Sequence, residues 1–331
     1  MAPAAAASSA PATILVTGAN GFVGRHALPA LRAAFPAARF VGGVQRAGAD
    51  CPGADEAVAL DLLDPPGLEV AVASTRPDAV LHLAAQAAVP ASFADPLATW
   101  RVNLMGTLAL AEVVMRHAPR ALFVQASSAE VYGLSFRAGT ALNEDAPFAP
   151  ANPYAASKAA ADVALGEMAL RGLRVLRMRP FNQVGPSQTE AFVVPAFARQ
   201  IARIEAGLQE PVIRAGALDR WRDMLDVRDV AAGYAAAIAE GDRIAPGTAI
   251  NLASGHPRRV GDILAELIAR AGVAVRIVTD PGRLRPVDVE RTQGDASRAA
   301  ALLGWTPTIP WGRTLGDILD DWRARVRAPG G

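Results

Sequence analysis

Tyr154 and Lys158 stand four residues apart, and Lys158 is the only lysine in a chain whose other 32 basic side chains are arginine. An ammonium is a compact point charge on a flexible stem, whereas a guanidinium is a broad planar fork. At a spacing of four on a helix the two side chains share a face. Asn152 and Pro153 just before them suit an N-cap and a first helical position, which predicts a helix from Pro153 to about Leu170. A neighbouring ammonium and a helix N-terminus both favour phenolate, so the pair predicts a Tyr154 pKa lowered from its usual ~10. Such a phenol can exchange a proton with a carbonyl or alcohol oxygen. The bland alternative is a surface tyrosine stacked on a lysine stem.

Two further segments suit that chemistry. Ser127 and Ser128 follow an apolar run, Ala121 to Ser127, that reads as a strand. In an open parallel sheet ligands lie beyond the carboxyl ends of the strands, where a serine hydroxyl can polarise the same substrate oxygen. Thr17-Gly18-Ala19-Asn20-Gly21-Phe22-Val23-Gly24 spaces glycines by three between a first strand and its helix. Glycine suits a tight turn and close approach to a pyrophosphate, and the helix N-terminus offers free N–H groups. The second strand ends Val44-Gln45-Arg46, with no carboxylate before Asp50. Arg46 therefore favours a 2′-phosphate, hence NADP(H), with NAD(H) as the alternative; the bland reading is a solvated loop charge.

These residues need a scaffold, and the first half supplies its pattern. Short apolar runs at 13–17, 39–44, 57–60, 79–83, 121–127 and 174–178 alternate with helical stretches at 24–35, 97–117 and 153–170. That alternation predicts an α/β fold, a Rossmann-type doubly wound parallel sheet. After Arg179-Pro180 the pattern becomes irregular. The expected organisation is a leader over residues 1–11, read as disordered, then a dinucleotide-binding domain over 12–180. A smaller mixed C-terminal substrate-binding domain follows over 181–331, with segments returning to the sheet. A net charge of +1 gives no reason to expect a nucleic-acid or anionic membrane partner. No apolar run reaches the ~20 residues of a membrane span, and the leader lacks the basic start of a signal peptide. The single cysteine, Cys51, fits a reducing cytoplasm, and the four histidines show no metal-ligand spacing, so no metal is expected.

With these motifs in order the chain resembles the extended short-chain dehydrogenases/reductases that act on nucleotide sugars. The glycine loop, Leu83-Ala84-Ala85-Gln86 after His82, Asn103, the Ser128 strand end and Tyr154/Lys158 carry the likeness. Arg179-Pro180-Phe181-Asn182-Gln183-Val184-Gly185-Pro186, Arg222-Asp223-Met224-Leu225-Asp226 and Leu284-Arg285-Pro286-Val287-Asp288 make it most similar to the GDP-4-dehydro-6-deoxy-D-mannose reductases, neighbours of the GDP-mannose 4,6-dehydratases. The resemblance implies a catalytic Ser128, Tyr154 and Lys158, with Lys158 also holding the nicotinamide ribose. Glu130 stands where the dehydratases keep a general acid/base, although Ala129 replaces their polar or acidic residue. It implies Asp61 and Leu62 by the adenine, and Leu83 to Gln86 and Asn103 along the cofactor. Asn182, Val193, Arg199, Arg222 and Arg285 are implied on the substrate side, a GDP-sugar. The expected activity is NADPH-dependent reduction of a 4-keto sugar in a homodimer or homotetramer. A dehydratase or 4-epimerase, and a non-catalytic dinucleotide-sensing protein, are the alternatives.

Overall fold

The computed structural model describes residues 10–283 and 287–328. Most of the expected leader, and Arg285, lie outside the described residues. Twelve strands occur among those described: β1 (Thr13–Thr17), β2 (Arg39–Val44), β3 (Glu56–Ala59), β4 (Ala79–His82), β5 (Leu122–Ala126), β6 (Val175–Pro180), β7 (Asn182–Val184), β8 (Val212–Ala215), β9 (Trp221–Asp226), β10 (Ala249–Leu252), β11 (Pro257–Arg259) and β12 (Arg276–Thr279). Seven form one sheet in the order β10-β6-β5-β4-β1-β2-β3, with every pairing parallel. The chain winds outward from β1 to β3, then restarts at β4 and winds the other way. Crevices open where strand order reverses, so the functional edge is the carboxyl end of β1 and β4.

Helices cover both faces, which is why the strands are apolar rather than alternating. On one face α1 (Phe22–Ala34) packs over Ile14, Val16, Leu81 and Val124. On the other, α2 (Pro65–Thr75) covers Leu15, Val41 and Val80. The expected helix over 97–117 is broken into pieces. After the short α3 (Val89–Ala94), Asp95 caps α4 (Pro96–Trp100) by accepting from Ala98 N at 2.9 Å. A π-helical turn at Arg101–Gly106 then leads into α5 (Thr107–His117). The wider turn carries buried Asn103, whose bonds, described below, explain why a regular α-helix is not kept there. The helix predicted from Pro153 does form, as α6 (Pro153–Leu170).

Beyond β6 the chain builds a smaller C-terminal domain. A third core, formed by Phe197, Ile201, Leu264, Leu315 and Ile318, lies among α7 (Val193–Glu205), α9 (Val260–Ala271), α11 (Trp311–Arg327) and a mixed β11-β9-β7 sheet, while α8 (Val227–Glu240) and α10 (Ser297–Leu303) pack into the core on the α1 side of the large sheet. β10 returns to complete the large sheet against β6. α8 also crosses back, setting Tyr234 and Ile238 into the core beneath α1. Leu28 of α1 is fully buried at that junction. Leu28→Ala should therefore lower unfolding free energy by roughly 2–5 kcal/mol, measured by denaturant unfolding.

Candidate functional site

A cleft of about 410 Å³ opens along the carboxyl edge, lined by the glycine loop, the ends of β4 and β5, the start of α6 and segments of the smaller domain. Gly18, Gly21, Phe22, Val23 and Gly24 all line it. Gly18 has φ +64°, and a Cβ there would lie 2.9 Å from the Ala84 nitrogen. A Cβ at Gly24 would lie 2.3 Å from the Ala19 carbonyl oxygen, so only glycine lets α1 start this close to the strand. Gly21 is the N-cap and has no capping side chain, which leaves the first amides of α1 available to an anion. Asn20 contributes its carbonyl to the Arg25 guanidinium at 3.0 Å.

A buried hydrogen-bond chain fixes the next wall. Thr17 Oγ1 accepts from the backbone amides of Leu83 and Ala84, so its own proton goes to His82 Nδ1 at 2.8 Å. His82 Nε2 then donates to Thr107 Oγ1 at 2.9 Å. Burial, with the Lys158 charge adding, lowers the His82 pKa to about 3, so the ring is a neutral strut. Leu83, Ala84 and Ala85 line the cleft. Gln86 is held one step behind, because Asn103 accepts from its amide at 2.8 Å and donates to its carbonyl at 3.0 Å. Asn103 also donates to Ser157 Oγ at 3.0 Å and is fully buried. The structure thus places Asn103 beneath the wall rather than in it. Asp61 and Leu62 follow β3 on the same edge, outside the enclosed cleft. Arg46 is exposed just past β2 and forms no ion pair among the described residues.

The proton-transfer residues converge at the floor. Asn152 caps α6 by accepting from Ala155 N at 2.8 Å and donates to Glu130 Oε2 at 3.3 Å. Ser128 Oγ accepts from the Glu130 amide at 3.1 Å and shares a hydrogen bond with the Tyr154 phenol. Ser128, Glu130 and Tyr154 all line the cleft. The expected lowering of the Tyr154 pKa is not found. Desolvation pushes the phenol up to about 12, the Glu130 charge adds to this, and Ser128 only partly opposes it. Lys158 does not offset this desolvation, its Nζ being engaged with the Ala126 carbonyl at 2.8 Å. Burial lowers the ammonium to about 8, against the favourable charge of Asp162. Near neutral pH the site therefore holds a protonated phenol and a charged ammonium.

The smaller domain closes the cleft with Phe181, Asn182, Arg222 and Asp288. Arg222 Nη2 donates to Asp288 at 2.6 Å, and its Nη1 donates to the Val289 carbonyl at 3.0 Å. Gln183 and Gln188 also line the cleft, and neither amide oxygen has a partner among the described residues. Such buried oxygens can accept from a bound ligand. The sequence assigns no site role to Gln188, or to Asp288 beyond its place in the 284–288 motif, because neither lies in a local pattern that marks a ligand contact. Val193 and Arg199 do not line the cleft: Val193 starts α7, and Arg199 pairs with Glu190 at 3.8 Å.

This arrangement can be set beside known proteins. The GDP-mannose 4,6-dehydratase family model matches residues 15–316. The chain is 36% identical to the GDP-6-deoxy-D-mannose reductase of Pseudomonas aeruginosa, over 95% of this chain and 98% of that protein. Its structure is similar to that of RMD from Pseudomonas aeruginosa complexed with NADPH, with a TM-score of 0.80 and 35% identity, covering 95% of this chain and 99% of that one. It is also similar to the UDP-glucose 4-epimerase of Thermus thermophilus in complex with NAD, with a TM-score of 0.81 and 29% identity, covering 94% and 99%. A glycine cradle at the switch point and a Ser-Tyr-Lys floor, together with matches of this extent, assign the chain to the GDP-mannose 4,6-dehydratase family of extended short-chain dehydrogenases/reductases.

Proposed function

We propose that the chain is an NADPH-dependent reductase acting on the 4-keto group of a GDP-4-dehydro-6-deoxy-hexose, giving GDP-D-rhamnose or its C4 epimer. The observation that carries this is the convergence of Tyr154 and Ser128 in the cleft that the glycine loop also lines. Reduction of a ketone consumes a proton, so a phenol near pKa 12 is in the donor state that this direction requires. The similarity to the Pseudomonas aeruginosa reductase supports the same direction and the same sugar nucleotide. Gly18 lets the glycine loop pack against the Leu83–Ala84 backbone, where a Cβ would clash, and so brings the uncapped amides of α1 to the cleft.

Bound NADPH supplies the hydride to the carbonyl carbon. Ser128 Oγ donates to the carbonyl oxygen and holds it against Tyr154. Tyr154 gives its proton to that oxygen as negative charge develops there, becoming phenolate. The Lys158 ammonium stabilises that phenolate and holds the nicotinamide ribose. Glycines 18, 21 and 24, with Asn20, Phe22 and Val23, seat the diphosphate, and Leu83 to Gln86 lie along the cofactor, supported from behind by Asn103. Asp61 and Leu62 flank the adenine. Arg46 faces the 2′-phosphate, which makes NADP(H) the preferred cofactor and NAD(H) the alternative. Asn182 and Arg222 hold the substrate diphosphate, with Asp288 guarding Arg222 until it arrives. The domains divide at about residue 180. Exposed Leu97, Met105 and Val163 on the 97–117 and 153–170 segments suit pairing into a homodimer or homotetramer. The cytoplasm is the proposed compartment.

A second reading has one observation in its favour. Glu130 lines the cleft within reach of Asn152, so a dehydratase cycle has a carboxylate at hand. Incubation with GDP-mannose separates the two: a 4-keto product without added NADPH supports dehydration, and none supports the reductase.

Mixing the protein with NADPH and the keto-sugar should deplete the absorbance of NADPH, and no depletion would overturn the reading. Tyr154→Phe should lose at least ~10²-fold in kcat. The rate of reduction should fall as pH rises through about 8, because Lys158 loses its proton there while Tyr154 keeps its own. Arg46→Ala should raise the KM for NADPH roughly tenfold and leave that for NADH unchanged, as expected for one lost charge-assisted hydrogen bond.

A further inference from the structure

Asp162 lies one helical turn beyond Lys158 on α6 and has no exposed surface. Ser127 Oγ donates to its Oδ2 at 2.7 Å. Arg179 of β6 grips both carboxylate oxygens, Nε to Oδ2 at 3.0 Å and Nη2 to Oδ1 at 2.9 Å. Arg177 adds a third guanidinium bond, Nη1 to Oδ1 at 2.8 Å. The same Arg179 donates to the Tyr132 hydroxyl at 3.0 Å and to the Glu144 carbonyl at 2.9 Å. Tyr132 passes its own proton to Asn251 of β10 at 2.8 Å.

These bonds reach both sides of the strand-end serine. Ser127 precedes Ser128, and Tyr132 ends the turn that follows it. Lys158 holds Ala126, one residue earlier again. Helix α6 thus grips residues 126 and 127 with two side chains spaced by four, and β6 anchors the far end of the grip. We propose that Asp162 is a positioning residue of this site, coupling the Ser127–Ser128 strand end and the Lys158 ammonium to the paired arginines of β6. Neither Asp162 nor Arg179 lines the cleft, so both act through residues that do.

The coupling to Lys158 has a definite sign. The groups facing that ammonium are Asp162 from α6 and neutral His82 from β4; Arg177 and Arg179 face Asp162 from β6. Asp162 is the partner that favours the charged amine, against burial. Without it the amine should lose its proton at lower pH.

Because Lys158 is the only lysine, protein labelled with ¹⁵N-lysine gives one side-chain amine resonance that needs no assignment. In the wild type its titration midpoint is expected near pH 8. In Asp162→Asn it should move to a pH lower by about one, and the alkaline limb of kcat should move with it. An unmoved resonance in a folded variant would overturn the coupling to Lys158, whatever the substrate of the enzyme proves to be. Asp162→Asn leaves the buried Arg179 and the half-buried Arg177 short of charge and can fail to fold, so Ser127→Ala provides the second arm. That variant removes a single hydroxyl and keeps all three guanidinium bonds. With any substrate that the wild type turns over, its kcat should fall about tenfold, with the KM for NADPH within about twofold of wild type. An unchanged kcat would remove Asp162 from the positioning of the serine.

Discussion

A charge taken out of water must be paired, and that requirement governs the face of the sheet under α6. Lys158 and Asp162 are both buried there, and neither could remain without the carbonyl and the guanidiniums that receive them. Helix α6 buries small residues at Ala155, Ser157, Ala159 and Ala161, and Ser157 accepts from Asn103 of the π-helical turn, so its neighbours approach closely. Close packing and charge pairing are thus one constraint. Once it is met, the start of α6 is fixed over the ends of β4 and β5, and Tyr154 has little choice of place. The Thr17–His82–Thr107 chain plays the same part between β1, β4 and α5, using neutral groups.

The chemistry follows from what burial does to each group. A lysine forced into the sheet becomes a weaker base, and a phenol confined beside a carboxylate becomes a weaker acid. The two shifts bring their ordinary roles apart: the ammonium is close to losing its proton, while the phenol keeps its own. In water the values differ little. The pocket therefore stores a proton at the oxygen of Tyr154 and leaves Lys158 to answer for the charge once that proton has gone.

Much of this was legible in the residues. Apolar runs separated by helical stretches gave six strand positions of the large sheet to within a residue or two, because burial on both faces leaves a plain apolar pattern. The cap at Asn152 and the glycine spacing were equally readable, since each answers a local need of the backbone. What stayed hidden depended on distant partners. Nothing near Lys158 in sequence says that it will meet the Ala126 carbonyl, and so the expected pull on Tyr154 was misjudged. Asn103 looked like a cofactor contact until the π-turn directed it toward Gln86 and Ser157. Gln188 and Asp288 reach the cleft only through the folding of the smaller domain.

The last strand of the large sheet is supplied by residues 249–252, about seventy positions after its neighbour β6. During synthesis the first 180 residues therefore emerge with β6 as an open edge, its backbone groups unpaired and able to accept a strand from another chain. Asn251 is also the acceptor for Tyr132, so the turn beyond Ser128 lacks one of its anchors until that strand arrives. A nascent chain of this design can assemble its glycine cradle early. It cannot complete the floor beside it until the smaller domain has been made, and the long loop that must close first makes that step slow.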